Sequence, residues 1–432
     1  MTLAWIIFFA FLIFAIYDIK KAILVWIPAH VLTNSQVALR YASPGIAVSV
    51  AISAMLVILY YLKYSGRKSK QINPTSFVLK PVLIAMIISY LLSYIFSIVS
   101  ITAQYSFTIK YFLEGFLLLY VFQRCLNDKN DMKLFIKTTF VVIILITGLG
   151  IYELLTLENP VLDYIYYNSP HNESTIGRLA YYPGFHRIRY GLPRCLSFFP
   201  IHLRFGAACV FFMFFMGVLL KRKSSYLSEQ HIFIAICLLI IGVFASNSKQ
   251  GLVGMVVLSC SLIHFKKLIN FKYLLLILFI VFLWWQFPTI FNNLYSLFDD
   301  ELAEEGGGST IALRTEQYRV AWNMFTQNPI FGNGPGSLSY MKAFGDNAEI
   351  RGAESIFLSI LPERGLLGAF VYIFMYIYLF FALKTTIPSK VLFFYLLTIF
   401  VIEVAGGRKD ITLYFGMLIG AYRYFQLHNQ TQ

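Results

Sequence analysis

Charge is scarce in this 432-residue chain: Asp, Glu, Lys and Arg together supply 13% of it, where a soluble globular domain carries about a quarter. With 58% hydrophobic residues and a mean hydropathy of +0.69, that shortage excludes a soluble globular protein. Acidic residues are scarcer still, 21 against 35 Lys and Arg, for a net charge of +14. The imbalance would suit a nucleic acid, but the cations sit scattered in short loops and gather on no soluble face, so nucleic acid is excluded as a partner. Five cysteines, an odd number falling mostly in apolar runs, exclude a disulfide framework. His171, His186 and His202 lack the spacing of a ligand set, so neither a metal nor another cofactor is expected. The run 3–17 has no basic n-region and no small-residue cleavage site, and reads as a span, not a signal peptide. No internal repeat is evident, which leaves the inverted-repeat logic of secondary transporters without support.

What the chain does have is a succession of apolar runs long enough to cross a hydrocarbon core of about 30 Å. In that solvent the backbone must satisfy itself, so the runs are helices. The expected spans are 2–17, 43–63, 79–100, 106–123, 134–155, 200–220, 231–247, 250–265, 271–288, 366–384, 391–405 and 411–425, an all-α polytopic membrane protein of about twelve helices. Basic groups at Lys63, Arg67, Lys68 and Lys70, at Arg124, Lys129 and Lys133, at Lys221 to Lys223, at Lys266, Lys267 and Lys272, and at Lys384 and Lys390 mark the cytoplasmic loops. Both termini then lie inside. The chain divides into N-terminal helices (1–155), a first outer loop (156–199), central helices (200–288), a second outer loop (289–365) and C-terminal helices (366–432). Residues 18–42 fit poorly, because Lys20 and Lys21 fall on the outward side. Ala22 to Leu32 is either a further span or an interfacial helix, which keeps the count at about eleven to thirteen.

Long outer loops and short inner ones put recognition or chemistry outside. The first outer loop carries Arg187, Arg189, Arg194 and Arg204 into a span. Guanidinium groups grip phosphate oxygens in a bidentate manner, and they also snorkel to head groups with no further role. The turn Ser246-Asn247-Ser248-Lys249-Gln250-Gly251 sets a cation between two spans on the outward side, either in water or facing a central cavity. In the second loop, Asp299 to Glu301 and Glu304-Glu305 followed by three glycines read as a solvated hinge. A helical period follows from Leu313, bearing Arg314, Arg319 and Trp322, and Asn328-Pro329 with Gly332, Gly334 and Gly336 stops it. Those glycines are either a plain turn or backbone N–H groups brought close to a phosphate. Glu354 precedes an apolar run as a helix-start acid or a catalytic carboxylate.

Arg314, Trp322, Asn328-Pro329, Gly332, Gly334, Gly336 and Glu354, then Glu363-x-Gly365-x-x-Gly368, resemble the shared C-terminal region of O-antigen polymerases and O-antigen ligases. Ser246 to Gly251 resembles that region's Ser-Arg-Gly turn, and Arg194-x-x-Ser197-x-Phe199-Pro200 its upstream arginine segment; the likeness covers roughly residues 185–370. Two positions depart from the pattern. Glu354 stands where ligases have a histidine, which leans toward polymerase, and Lys249 stands where arginine is usual.

The resemblance implies a GT-C-like glycosyltransferase of a bacterial inner membrane, acting on the outer face on an undecaprenyl-diphosphate-linked oligosaccharide. It implies a polymerase of surface-polysaccharide repeat units, O-antigen or capsule, with membrane lipid and a chain-length regulator as partners. An O-antigen ligase and a lipid-linked oligosaccharide flippase are the alternatives. A diphosphate leaves as a stable anion, so cations replace the general acid of ordinary glycoside cleavage. Arg314 and Glu354 are then the catalytic pair, Glu354 as base. Arg194, Lys249, Arg319, Arg187 and Arg189 bind the diphosphate or substrate, and one base opposite one leaving group implies inversion.

Overall fold

The computed structural model describes residues 2–33, 38–40, 46–64, 77–97, 111–168, 188–189, 192–222, 224–262, 299, 301, 311–338, 355–406 and 410–429. Its elements are α1 (Thr2–Tyr17), α2 (Ile19–Ala29), β1 (Ala38–Arg40), β2 (Ile46–Ala47), α3 (Val48–Tyr64), α4 (Lys80–Ile95), a π-helical stretch (Tyr111–Leu117) running into α5 (Leu118–Cys125), α6 (Lys129–Thr156) and α7 (Pro160–Asn168). Then come β3 (Ile188–Arg189), β4 (Leu192–Pro193), α8 (His202–Lys221), α9 (Glu229–Ser246), α10 (Lys249–Leu262), α11 (Ile311–Gln327), α12 (Ile356–Leu383), α13 (Ser389–Gly406) and α14 (Ile411–Asn429). The strands form two short antiparallel hairpins, so the fold is all-α.

Four of these helices, α6, α8, α9 and α12, are long and apolar enough to cross a membrane, and five shorter apolar ones accompany them. α8 is buried around its whole circumference from Phe205 to Leu219, the signature of a central helix. Facing lipid instead, α4 and α12 leave Ile88, Leu91, Leu366 and Phe370 exposed. The interior is closed by aromatic contacts such as Phe214 against Tyr395, with ring centroids 3.7 Å apart.

The ends of the bundle differ in charge. Arg423 on α14 donates from Nε to the Leu126 carbonyl at 2.8 Å, and Arg222 lies over Phe425, so the last turns of α5, α8 and α14 share one end with Arg124, Lys129 and Lys221. Asp128 caps α6 there in a reciprocal capping box with Asp131. Lys20, at the start of α2, reaches Asp131 at 2.6 Å. The expectation that Lys20 and Lys21 lie on the outward side is therefore corrected: they belong to the basic end. Lys20 is held there by the acidic α6 cap, and its neighbour Lys21 pairs with Asp18 at 3.0 Å. From Lys20, α2 runs through the interior, burying Ile23, Leu24, Trp26 and Ile27, and Trp26 Nε1 donates to Ser53 Oγ at 3.1 Å. It ends beside Asp410 at the far end.

Candidate functional site

A second polar cluster stands at the far end. α6 finishes there with Glu153, which is 1% exposed. One of its oxygens accepts from the backbone N–H groups of Leu196 and Ser197 at 2.9 and 2.8 Å and from Asn159 Nδ2 at 2.9 Å. Ser197 takes a left-handed φ of 53° and donates its hydroxyl to the Ile146 carbonyl at 2.6 Å. Residues 194–197 are thereby tied to α6, and the Cys195 N–H adds a bond of 3.0 Å to the Ala245 carbonyl at the end of α9. Arg194 sits half-buried in this anchored strip.

That strip meets the turn between α9 and α10. Asn247 closes α9 in the left-handed conformation, as a helix C-cap does, and Lys249 opens α10. The Ser246 and Ser248 hydroxyls lie 3.0 Å apart. They press on Gly206 of α8, where an added Cβ would come within 2.3 Å of Ser248 Oγ. Gln250 donates to the Leu203 carbonyl at 2.7 Å. Three segments distant in sequence, 194–197, 203–206 and 246–250, thus converge, bringing the Arg194 segment and the Lys249 turn together.

Next to them lies a charged cluster. His30 Nδ1 is 2.6 Å from the Ile27 carbonyl, and Nε2 is 3.0 and 3.1 Å from the two Asp410 oxygens. Both ring nitrogens face acceptor oxygens, an arrangement suited to an imidazolium. Burial pushes the Asp410 carboxyl up. The His30 charge and hydrogen bond, the Leu413 N–H and the Arg204 charge outweigh that and hold it below its ordinary 3.8.

The second outer segment is a clasp. α11 stops at Gln327, and Gly332 folds back on Asn328 through a 2.8 Å N–H···O bond. Its partner is a break in α12, where Pro362 and the positive φ of Gly365, 62°, interrupt the helix. Asn333 N–H donates to the Pro362 carbonyl at 2.8 Å and Gly334 N–H to the Glu363 carbonyl at 3.0 Å, while the N–H groups of Leu366 and Leu367 return to Pro329 and Ile330. At Gly332 (φ 74°) a Cβ would stand 2.4 Å from the Arg364 nitrogen, and at Gly365 it would stand 2.4 Å from the Ile330 oxygen. Only glycine allows these two chains to approach so closely. Since the N–H groups of Gly332, Asn333 and Gly334 are spent on protein carbonyls, residues 332–334 serve the turn.

The expected site residues fare unevenly. Arg194 and Lys249 stand at one junction. Arg189 lies in β3, opposite Leu192 of β4. Arg314 and Arg319 both belong to α11, and Arg319 is exposed with its Nε 2.8 Å from Glu316 of the same helix. That bond, with little opposition from burial and reinforced by the Arg319 charge, keeps the Glu316 carboxyl below its usual value. Glu354 and Arg187 lie outside the described residues. Glu153, Asp410 and His30 escaped the sequence reading. A lone acid in an apolar run was the available signal for Glu153.

The fold and this junction define a class, an all-α membrane protein in which the Arg194 segment and the Lys249 turn meet at the end away from Lys20 and the α6 cap. Residues 233–373, about a third of the chain, match the O-antigen ligase family model. No curated protein matches the chain.

Proposed function

We propose that this protein is a polymerase that joins polyprenyl-diphosphate-linked repeat units of a surface polysaccharide, with inversion, on the extracytoplasmic face of a bacterial inner membrane. The family match carries the reading, because members of that family are glycosyltransferase-like enzymes acting on lipid-linked sugars. The packing of the Arg194 strip against the end of α9, next to the Lys249 turn, supports it, since the segments that carry these two cations are about fifty residues apart in the sequence. In this scheme the bundle is a GT-C-like assembly of about twelve spans, and α2 adds a buried return pass.

Arg314, with Arg194 and Lys249, neutralises the diphosphate as the sugar–oxygen bond breaks, a preorganised electrostatic contribution of about 3–4 kcal/mol per donor group. Glu354 takes the proton of the attacking hydroxyl. Arg187, Arg189 and Arg319 guide the anionic substrate toward that centre. No metal is needed, because the leaving group is already an anion.

Purified protein incubated with lipid-linked repeat unit alone tests this. A ladder of longer lipid-linked glycans is expected. Product only on addition of a second lipid acceptor would make it an O-antigen ligase, a reading the family match accommodates equally, and transfer across the bilayer without bond formation would make it a flippase.

A further inference from the structure

Arg364, at the break in α12, is 4% exposed, and its environment does not match its charge. Its Nη1 is 3.5 Å from Met86 Sδ and its Cζ is 4.9 Å from the centre of the Tyr90 ring. Among the described residues, no oxygen accepts from this guanidinium. Five N–H donors therefore meet one weak sulfur acceptor and an aromatic face. Nearby on the same face of α4, Ser89 is 1% exposed and its hydroxyl also has no partner. One turn further, Ser93 is occupied by the Glu363 carbonyl at 2.6 Å. Glu403 on α13 is within electrostatic reach, and its carboxylate accepts from the hydroxyls of Tyr372 and Tyr376. It makes no ion pair with Arg364 among the described residues.

A buried cation is costly unless an acceptor meets it. The seam between α4 and α12 thus offers donors in excess of acceptors, and its complement is a group with acceptors only, which phosphate supplies in a geometry that suits a guanidinium fork. The outer surfaces flanking it, Ile84, Ile88, Leu91, Leu366, Phe370 and Ile373, are exposed and apolar. A free anion has no route across such a surface, whereas a phosphate carried on a long hydrocarbon chain does. We propose that Arg364 and Ser89 form a subsite for the diphosphate of the polyprenyl-linked donor, approached laterally between α4 and α12. The assignment of this occupant rests on the function proposed above. The subsite lies apart from the Arg194–Lys249 junction, on a different pair of helices, and serves to admit and hold the donor's head group.

The test measures binding of undecaprenyl diphosphate without sugar to the full chain in zwitterionic nanodiscs, with phosphatidylglycerol as the comparison lipid. Arg364→Gln should weaken diphosphate binding about 10- to 100-fold, as for loss of a charged hydrogen-bonding partner, and Ser89→Ala about 2- to 10-fold. Phosphatidylglycerol retention should be unchanged in both. Wild-type binding by Arg364→Gln would overturn the subsite, and so would an equal loss of phosphatidylglycerol, which would make it a general head-group site. Should Arg364→Gln fail to fold, Arg364→Lys and Ser89→Ala decide, and wild-type binding by both overturns the proposal. Chain extension is read separately. A ladder formed with Arg364→Gln binding unaltered leaves the polymerase standing and removes the subsite, while the reverse pattern removes the polymerase and keeps the subsite.

Discussion

Replacing Glu153 with Ala should release the Arg194 strip from the bundle. One carboxylate oxygen serves three donors, Leu196 N–H, Ser197 N–H and Asn159 Nδ2. A hydrogen bond to a charged group contributes about 1.5–3 kcal/mol net, and three on one oxygen do not add independently. The substitution leaves three buried N–H donors without an acceptor, at about 1–3 kcal/mol each, so a loss of about 3–5 kcal/mol is the magnitude expected here. Much of it falls on local opening of residues 194–197, because α6 itself retains its apolar packing. Cys195 reports that opening. It is fully buried, and burial together with the neighbouring Glu153 charge pushes its thiol above the ordinary range, so the wild type should label slowly with a maleimide. In a background with Cys237 and Cys260 replaced by Ser, Glu153→Ala should raise the Cys195 labelling rate roughly 10²- to 10³-fold, and Glu153→Gln should fall between. Labelling at the wild-type rate, in a variant that still purifies as a folded membrane protein, would refute the anchoring role.

Other consequences can be measured with the same preparations. Gly332→Ala and Gly365→Ala should each cost at least about 1–2 kcal/mol from the left-handed backbone alone, with the clash against the opposing chain in addition, and should lower the melting temperature. Gly148→Ala is the control: an added Cβ there meets nothing within 4 Å, and Ala should stabilise the helix by up to about 1 kcal/mol. Asp410→Asn should destabilise the protein at neutral pH. Because the folded Asp410 value lies below the ordinary 3.8, the contribution of its own ionisation is fully present above 3.8 and fades as pH falls through the lower folded value; a wild-type advantage that grows as pH falls through that range would contradict this.

The all-α, membrane-spanning character could be read from composition, because apolar length obeys the solvent's demands directly. The end of α11 at Asn328-Pro329 was equally legible, since proline and glycine act on local backbone. The pairing of that turn with Pro362 to Gly365 was not, because a sequence that marks two breaks does not say that they dock. α2 was ambiguous for a related reason: it is short, contains Pro28 and begins with two lysines, and only the acidic cap at Asp128 and Asp131 reveals at which end those lysines lie. Arg194 and Lys249 stood out as cations at span edges. Glu153, which anchors one of them, looked like an ordinary helix-end acid, since its role comes from backbone N–H groups about forty residues away.

The most direct test of the central claim is chain extension by purified Arg314→Ala supplied with the lipid-linked repeat unit. Loss of the glycan ladder, with the variant still folded in the membrane, is the expected result; a ladder formed at the wild-type rate would contradict a mechanism in which that guanidinium stabilises the departing diphosphate.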